Sequence, residues 1–265
     1  MPSPGDAIPL RCDLNADVGE AGDADGVAVE RGLLEYVTSV HVACGGHAGD
    51  AGSMRATVSA AVARGVRVGA HPSYPDREGF GRRPMELAAS DLEAALAQQL
   101  AALVVVAEAC GTVVHSVKAH GALYGEVAKG ETAYDVFVSS VDRSCGPGTA
   151  LVLEAGSIAV SMARLQGRTV LEEGFCDRAY RHDGGLVDRS QPGAVYDDGA
   201  TAAAQALDLV CRSTVQPRDG PPLALPVDTL CLHGDSPGAL TMAAAVRQAL
   251  QGAGVQVAAA EISVA

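Results

Sequence analysis

Tryptophan is absent from this 265-residue chain, and its aromatic side chains are limited to 3 Phe and 6 Tyr. A core without large rings must be filled by Ala, Val and Leu, which suits helices packed closely on a parallel sheet. Basic residues are scarce too, 19 against 32 acidic, for a formal net charge of −13. That balance disfavours a polyanion as partner, so nucleic-acid binding is not expected. The seven cysteines, Cys12, Cys44, Cys110, Cys145, Cys176, Cys211 and Cys231, are scattered and include no CxxC pair. They read as free thiols, mostly buried, in a reducing compartment rather than as a disulfide or zinc framework. Residues Met1–Pro9 lack the basic and apolar regions of a secretory signal, and no apolar run approaches the roughly 20 residues that span a bilayer. A cytoplasmic chain without membrane contact is expected. Also missing are GxxxxGK[ST], a GxGxxG after the first strand, GxSxG and HExxH. Any ATP chemistry must proceed without a P-loop here, or with ATP held by a different chain of a complex.

What is present is a 48% hydrophobic sequence, long enough for one large core, in which short β-rich runs alternate with Ala-rich helical segments. This is the pattern of an α/β fold with parallel strands, in one domain over residues 1–265. Strands are expected at Leu10–Leu14, Ser39–Ala43, Arg67–Ala70, Val113–Val117, Ala150–Leu153, Thr169–Glu172 and Thr229–Leu232. A weak last run, Val255–Ala258, reads as an edge or closing strand. Helices are expected at Gly26–Tyr36, Ser53–Arg64, Asp91–Cys110, Thr132–Ser144, Ile158–Leu165, Ala200–Cys211 and Gly238–Gln251. Ser90 with Glu93 fits a capping box, Gly65 and Gly111 fit C-terminal stops, and Ser236-Pro237 fits a helix start. Two long loops, Pro72–Met85 and Cys176–Asp198, follow strand ends and mix charge with aromatic residues, which favours function over disorder.

Polar clusters stand at one strand end after another, as a barrel enzyme requires to gather one site from distant sequence. Asp13, Asn15 and Asp17 share one side of an extended segment, and Glu20 follows. A carboxylate facing a barrel interior is costly unless paired, hydrogen-bonded or metal-bound; alternatively the run leads into a solvated acidic turn. His47 sits in a glycine-flanked turn, with Asp50 placed either to orient its imidazole or to cap the next helix. His71, His120 and His233 also follow strands, and Asp235 lies two residues beyond the last. Lys118 ends an apolar run, where it could hold an anionic oxygen, work with a depressed pKa, or simply pair with a strand-end carboxylate. Arg77, Arg82 and Arg83 flank Gly79-Phe80-Gly81 and suit a small anionic substrate, or else pair with Asp76 and Glu78. Tyr124 follows His120 in the fourth cluster, and Asp177-Arg178 reads as a charged pair at the pocket rim. Asp17 with His47 and His120 could supply a carboxylate and two imidazoles to a metal.

These blocks together resemble the LamB/YcsF family. The resemblance rests on DLNADVGE at Asp13–Glu20, VTSVHVACGGHAGD at Val37–Asp50, GAHPSYPDREGFGRR at Gly69–Arg83, VKAHGALYG at Val117–Gly125, FCDRAYRHDGGLVDRSQPGAVY at Phe175–Tyr196 and LHGDSPGAL at Leu232–Leu240. It implies a (β/α) barrel of the glycoside hydrolase/deacetylase type with seven strands. It also implies the role of the A subunit in an ATP-dependent 5-oxoprolinase, in which 5-oxo-L-proline opens to L-glutamate with the help of B and C subunits. ATP would be a co-substrate, with Mg²⁺ accompanying it, and the chain could form a homo-oligomer. On this reading Asp13, Asn15, Asp17, Glu20, His47, Asp50, His71, Lys118, His120, His233 and Asp235 are the catalytic candidates. Arg82, Arg83, Tyr124, Asp177 and Arg178 are the substrate-binding candidates. His41, Gly46, Ala51, Ala119 and Gly125 depart from the family pattern; Ala119 and Gly125 flank the Lys118/His120 site. A stand-alone metal-dependent hydrolase or deacetylase, and a non-catalytic subunit that binds a small acid, are the competing readings.

Overall fold

A computed structural model describes residues 10–234 and 238–262. Its centre is a closed ring of parallel strands: β1 (Arg11–Val18), β2 (Ser39–Ala43), β3 (Arg67–His71), β4 (Ser116–Lys118), β5 (Ala150–Glu154) and β6 (Val170–Phe175). A short antiparallel pair, β7 (Thr214–Val215) and β8 (Leu223–Ala224), precedes β9 (Thr229–Leu232), which lies between β6 and β1 and closes the ring. The barrel therefore has seven strands, as expected. The final strand, β10 (Gln256–Val257), pairs with Arg11 and Cys12 at the N-terminal end of β1, ahead of the residues that close the ring.

Eight helices are described: α1 (Ala24–Leu33), α2 (Ala51–Val62), α3 (Ala89–Ala109), α4 (Gly121–Ala128), α5 (Thr132–Ser144), α6 (Ile158–Leu165), α7 (Gly199–Arg212) and α8 (Ala239–Gly252). Alternation along each strand divides the two sides of the barrel wall. Cys12, Leu14, Ala16 and Val18 of β1 join the main apolar core, as do Val40, Val42, Val68, Ala70, Val117, Leu151, Leu153, Leu230 and Leu232. The residues between them point into the barrel toward its axis, and in this chain many are polar. Gly69 is required by that interior, because a Cβ there would stand 2.6 Å from both His41 and Ser116.

Several local expectations change. The fourth strand begins at Ser116 rather than Val113, since its ladder to Gly69 and Ala150 starts there, and Val113 is exposed. α3 starts at Ala89 with no side-chain cap, so the Ser90–Glu93 box does not form; Glu93 pairs instead with Arg143 on α5. α3 is also a 21-residue helix long and apolar enough by composition to cross a membrane, contrary to the expectation that no run approaches that length. Its Leu92, Leu96, Leu100 and Leu103 are buried in the main core. Gly65 and Gly111 do end their helices with positive φ, at 69° and 77°. The helix start expected at Ser236-Pro237 lies outside the described residues.

Candidate active site at the C-terminal end of the barrel

β1 presents three polar side chains to the interior at three depths. Asp13, at the entry end, accepts from the hydroxyls of Thr38 (2.6 Å), Ser39 (2.7 Å) and Thr229 (2.6 Å). Burial holds its carboxyl above the usual range despite those three donors. Asn15, one pleat higher, donates to Glu173 (3.0 Å) and Thr229 (2.8 Å). Asp17, the highest, reaches Lys118, His71 and the open end. Here lies a cavity of about 110 Å³, bounded by Asp17, Glu20, His71, Lys118, His120, Tyr124, Phe175 and His233, with Arg82, Arg178 and Arg189 at its margins.

Lys118 binds the two sides of this cavity together. Its ammonium lies 2.9 and 3.1 Å from the Asp17 oxygens, 2.9 Å from Glu173 Oε1 and 3.2 Å from Cys231 Sγ. An ammonium has three N–H donors, and these acceptors take all of them. Burial alone would pull Lys118 down, but Asp17, Cys231 and Glu173 outweigh it and leave the ammonium well above its usual range. The depressed-pKa alternative is therefore corrected: Lys118 is a fixed cation. Asp17 stays ionised for the matching reason, since His71 and Lys118 overcome its burial and push it well below the usual carboxylate range. Glu173 also accepts from the Tyr124 hydroxyl at 2.8 Å.

Across the cavity, His233 Nδ1 faces the buried Asp177 carboxylate at 2.9 Å, and the His233 backbone amide donates to the same group at 3.1 Å. Asp177 is thereby held below its usual range against burial. The imidazole stacks on Phe175 with ring centroids 5.7 Å apart. An Nδ1–H directed at a carboxylate leaves Nε2 as the free edge of such a dyad.

On the β1–β4 side, Glu20 meets three imidazoles. Its Oε1 lies 2.8 Å from His47 Nε2, 3.3 Å from His120 Nδ1 and 3.7 Å from His71 Nε2. Burial pulls His47 down to about 4 and lowers His120, while the Asp17 charge raises His71 against its own burial. Glu20, His47, His71 and His120 are the described residues here that could hold a metal, with a second set at Asp17, Cys231 and His233.

A profile described as the LamB/YcsF family matches residues 12–264. This chain belongs to the LamB/YcsF family. It is 45% identical over 247 residues to the A subunit of 5-oxoprolinase from Methylococcus capsulatus, covering 93% of this chain and 95% of that one. Among solved structures it is similar to the lactam utilization protein of Thermus thermophilus, at TM-score 0.85 and 39% identity, over 94% of this chain and all of that one. A family 4 carbohydrate esterase from Streptomyces lividans matches at TM-score 0.51 and 14% identity, over 97% of this chain and 96% of that one, and shares the barrel fold.

In this LamB/YcsF barrel the expected residues divide into those the fold gathers and those it sends elsewhere. Asp17, Glu20, His71, Lys118, His120, Tyr124, Arg82, Arg178 and His233 line one cavity, with His47 directly behind. Asp13 does not reach it, being two pleats down the axis, and Asn15 meets the site only through Glu173. Asp50 is corrected from catalyst to cap: exposed, it closes a capping box with Ser53 at the start of α2. Arg83 is committed to Asp76 in its own loop, at 3.0 Å through Nε, and does not line the cavity. Asp177 pairs with His233 rather than Arg178, whose guanidinium donates to the Val187 carbonyl at 2.7 Å. The metal trio expected at Asp17, His47 and His120 is replaced by a set built on Glu20. Asp235 lies outside the described residues. Glu173, Phe175 and Arg189 join the site from outside the candidate set, Glu173 from the strand-end polar run Glu172-Glu173-Gly174. Glu173 was findable by alternation along β6: Glu172 turns outward to Arg164 (2.6 Å), so its neighbour faces inward.

Proposed function

We propose that this chain is the ring-opening subunit of an ATP-dependent 5-oxoprolinase, converting 5-oxo-L-proline to L-glutamate beside separate B and C subunits. The observation that carries the reading is a cavity scaled to one small ring acid, in a chain of net charge −13, with three arginines at its margins. A guanidinium grips a carboxylate or phosphoryl group through paired donors, so Arg82, Arg178 and Arg189 are assigned to the anionic groups. Lys118, whose donors are all taken, positions Asp17 and Glu173 rather than substrate.

The lactam amide is resonance-stabilised, and ATP supplies the activation. Transfer of the γ-phosphoryl group to the ring carbonyl oxygen releases ADP and removes the N–H proton. A first water adds at the electrophilic carbon, the C–N bond breaks with a proton delivered to nitrogen, and an acyl phosphate remains. A second water cleaves that to the carboxylate and phosphate. His233, oriented by Asp177, is assigned to proton delivery at the leaving amine, and Asp17 to the attacking water. A cleft of about 820 Å³ adjoins the cavity at Tyr124 and is the route assigned to ATP with its Mg²⁺. The seven free cysteines fit a reducing, cytoplasmic setting.

A second reading, amide hydrolysis without ATP, is favoured by the convergence of Glu20 with three imidazoles. Glutamate release from 5-oxoproline separates the two, measured with this chain alone and with B and C subunits, with and without ATP and Mg²⁺. Turnover confined to the complete mixture is the expected result. Release by this chain alone without ATP would favour the second reading, and no release by the assembled mixture would overturn the first.

A further inference from the structure

Four consecutive barrel strands each deliver one donor to a single point: Glu20 beyond β1, His47 beyond β2, His71 at the end of β3 and His120 beyond β4. The contacts from Glu20 Oε1 to the three rings span 2.8 to 3.7 Å, and His71 Nε2 lies 3.0 Å from His120 Nδ1. Four ligands at about 2.0–2.1 Å from a tetrahedral ion stand roughly 3.3 Å from one another, in the middle of that range.

The outer contacts of two rings decide which atoms face inward. His71 Nδ1 meets the Lys118 carbonyl at 2.9 Å, and His120 Nε2 meets the Phe80 carbonyl at 2.9 Å. A carbonyl only accepts, so the His71 Nδ1 proton and the His120 Nε2 proton are directed outward. His71 Nε2 and His120 Nδ1 then face one another, the Glu20 carboxylate and, 3.3 Å from His71 Nε2, the Asp17 carboxylate, a set of acceptors that a cation must join. Imidazoles that ligate metals are oriented in this way, by a carbonyl on the far nitrogen. Phe80 holds its carbonyl there from a left-handed backbone, φ 54°, one of two such non-glycine residues among those described. Strain of that kind persists where the surroundings impose it. His47 and His120 stack in parallel at 3.7 Å between centroids, so that both rings reach the same carboxylate oxygen. Glu20, His71 and His120 line the open cavity, which provides an entry path.

We infer that Glu20 Oε1, His47 Nε2, His71 Nε2 and His120 Nδ1 form a site for one divalent transition-metal ion of the imidazole-favouring class, such as Zn²⁺ or Co²⁺. Bound there, the ion would polarise a carbonyl oxygen or acidify a water in the cavity. The site deepens the reaction-centre reading of this pocket without depending on the substrate assigned to it. A proton shared between His71 and His120 is the competing occupant.

The test is Co²⁺ and Zn²⁺ titration of the chelator-treated full chain, followed by visible d–d absorption and by metal content after dialysis. One equivalent is expected, weakened in Glu20→Gln and His120→Ala by more than the roughly 10- to 100-fold typical of an outer-contact change. No stoichiometric binding by a chain shown to be folded would overturn the inference in favour of the shared proton. Binding unchanged in both variants would overturn it as well. Should either variant fail to fold, X-ray absorption on the unmodified Zn²⁺-loaded chain decides. A nitrogen and oxygen shell with imidazole scattering is expected, whereas sulfur in the shell would move the ion to Cys231 and overturn the assignment. These measurements need no substrate, so a failed glutamate assay with the metal site filled would overturn the lactam reading alone.

Discussion

A half-buried carboxyl at the mouth of the large cleft shows what a single residue contributes to stability. Glu154 ends β5, and burial pushes its pKa from 4.5 up to about 7, with Glu173 and Asp183 raising it further and Arg181 and Arg178 opposing. Because the folded chain holds this proton more tightly than the unfolded chain, the contribution to stability is complete below about pH 4.5. It is lost as pH rises through about 7. Glu154→Gln removes the titration and should leave stability unchanged at pH 4 while raising it by roughly 1–3 kcal/mol at pH 8, read by urea unfolding at both pH values. A variant equally stabilised at both would show that burial does not govern this carboxyl.

At the scale of elements, helix ends separate two sequence signals that look alike. Asp50 and Ser53 form a reciprocal cap on α2, each side chain bonded to the other's backbone amide at 2.8 Å. Ser90 and Glu93 carry a pattern of the same form on α3 and do not cap, because the helix begins at Ala89 and Glu93 is drawn to Arg143. Asp50→Ala should therefore lower Tm by about 2–4 °C and leave turnover of the reconstituted enzyme unchanged, while Ser90→Ala should stay within about 1 °C of the parent. Equal shifts in thermal melts would contradict the assigned caps. α4 escaped sequence reasoning because it is short and carries Gly121 and Gly125, both poor helix residues. It forms through tertiary contact: Gly121 takes φ 59°, and a Cβ there would stand 2.5 Å from the Gly81 carbonyl oxygen.

For the whole molecule, the two ends of the barrel do different work. The end opposite the cavity is covered by the C-terminal segment, where Ala260 and Ile262 pack on Ala150, Val152 and Leu171. Arg67 donates to the Ala260 carbonyl, and Arg11 pairs with Glu261 and donates to the Ala259 carbonyl. The one exposed ion pair among these, Arg11–Glu261, adds little, so the apolar cover dominates. Truncation after Ala258 should cost roughly 2–3 kcal/mol, about the burial of one large aliphatic side chain, while Co²⁺ binding at the far end persists. Loss of the metal signal in a truncated chain that is still folded would show the two ends to be coupled.

The sequence by itself determined the α/β class, the seven parallel strands and most helices, because apolar periodicity and strand-end polarity are local signals. Alternation on β1 likewise placed Asp13, Asn15 and Asp17 on one face. Only the tertiary structure decided their depth, with Asp13 closed off by Thr38, Ser39 and Thr229 and Asp17 alone reaching the cavity. It also decided that Glu20 rather than Asp17 joins His47 and His120, that Asp50 caps a helix, and that Asp76 claims Arg83. The physical reason is that a side chain's period assigns it a face, whereas its partner depends on strand stagger and loop closure around the ring. Those relations join residues more than a hundred positions apart, as Lys118 is joined to Asp17 and Cys231, and no local pattern carries them.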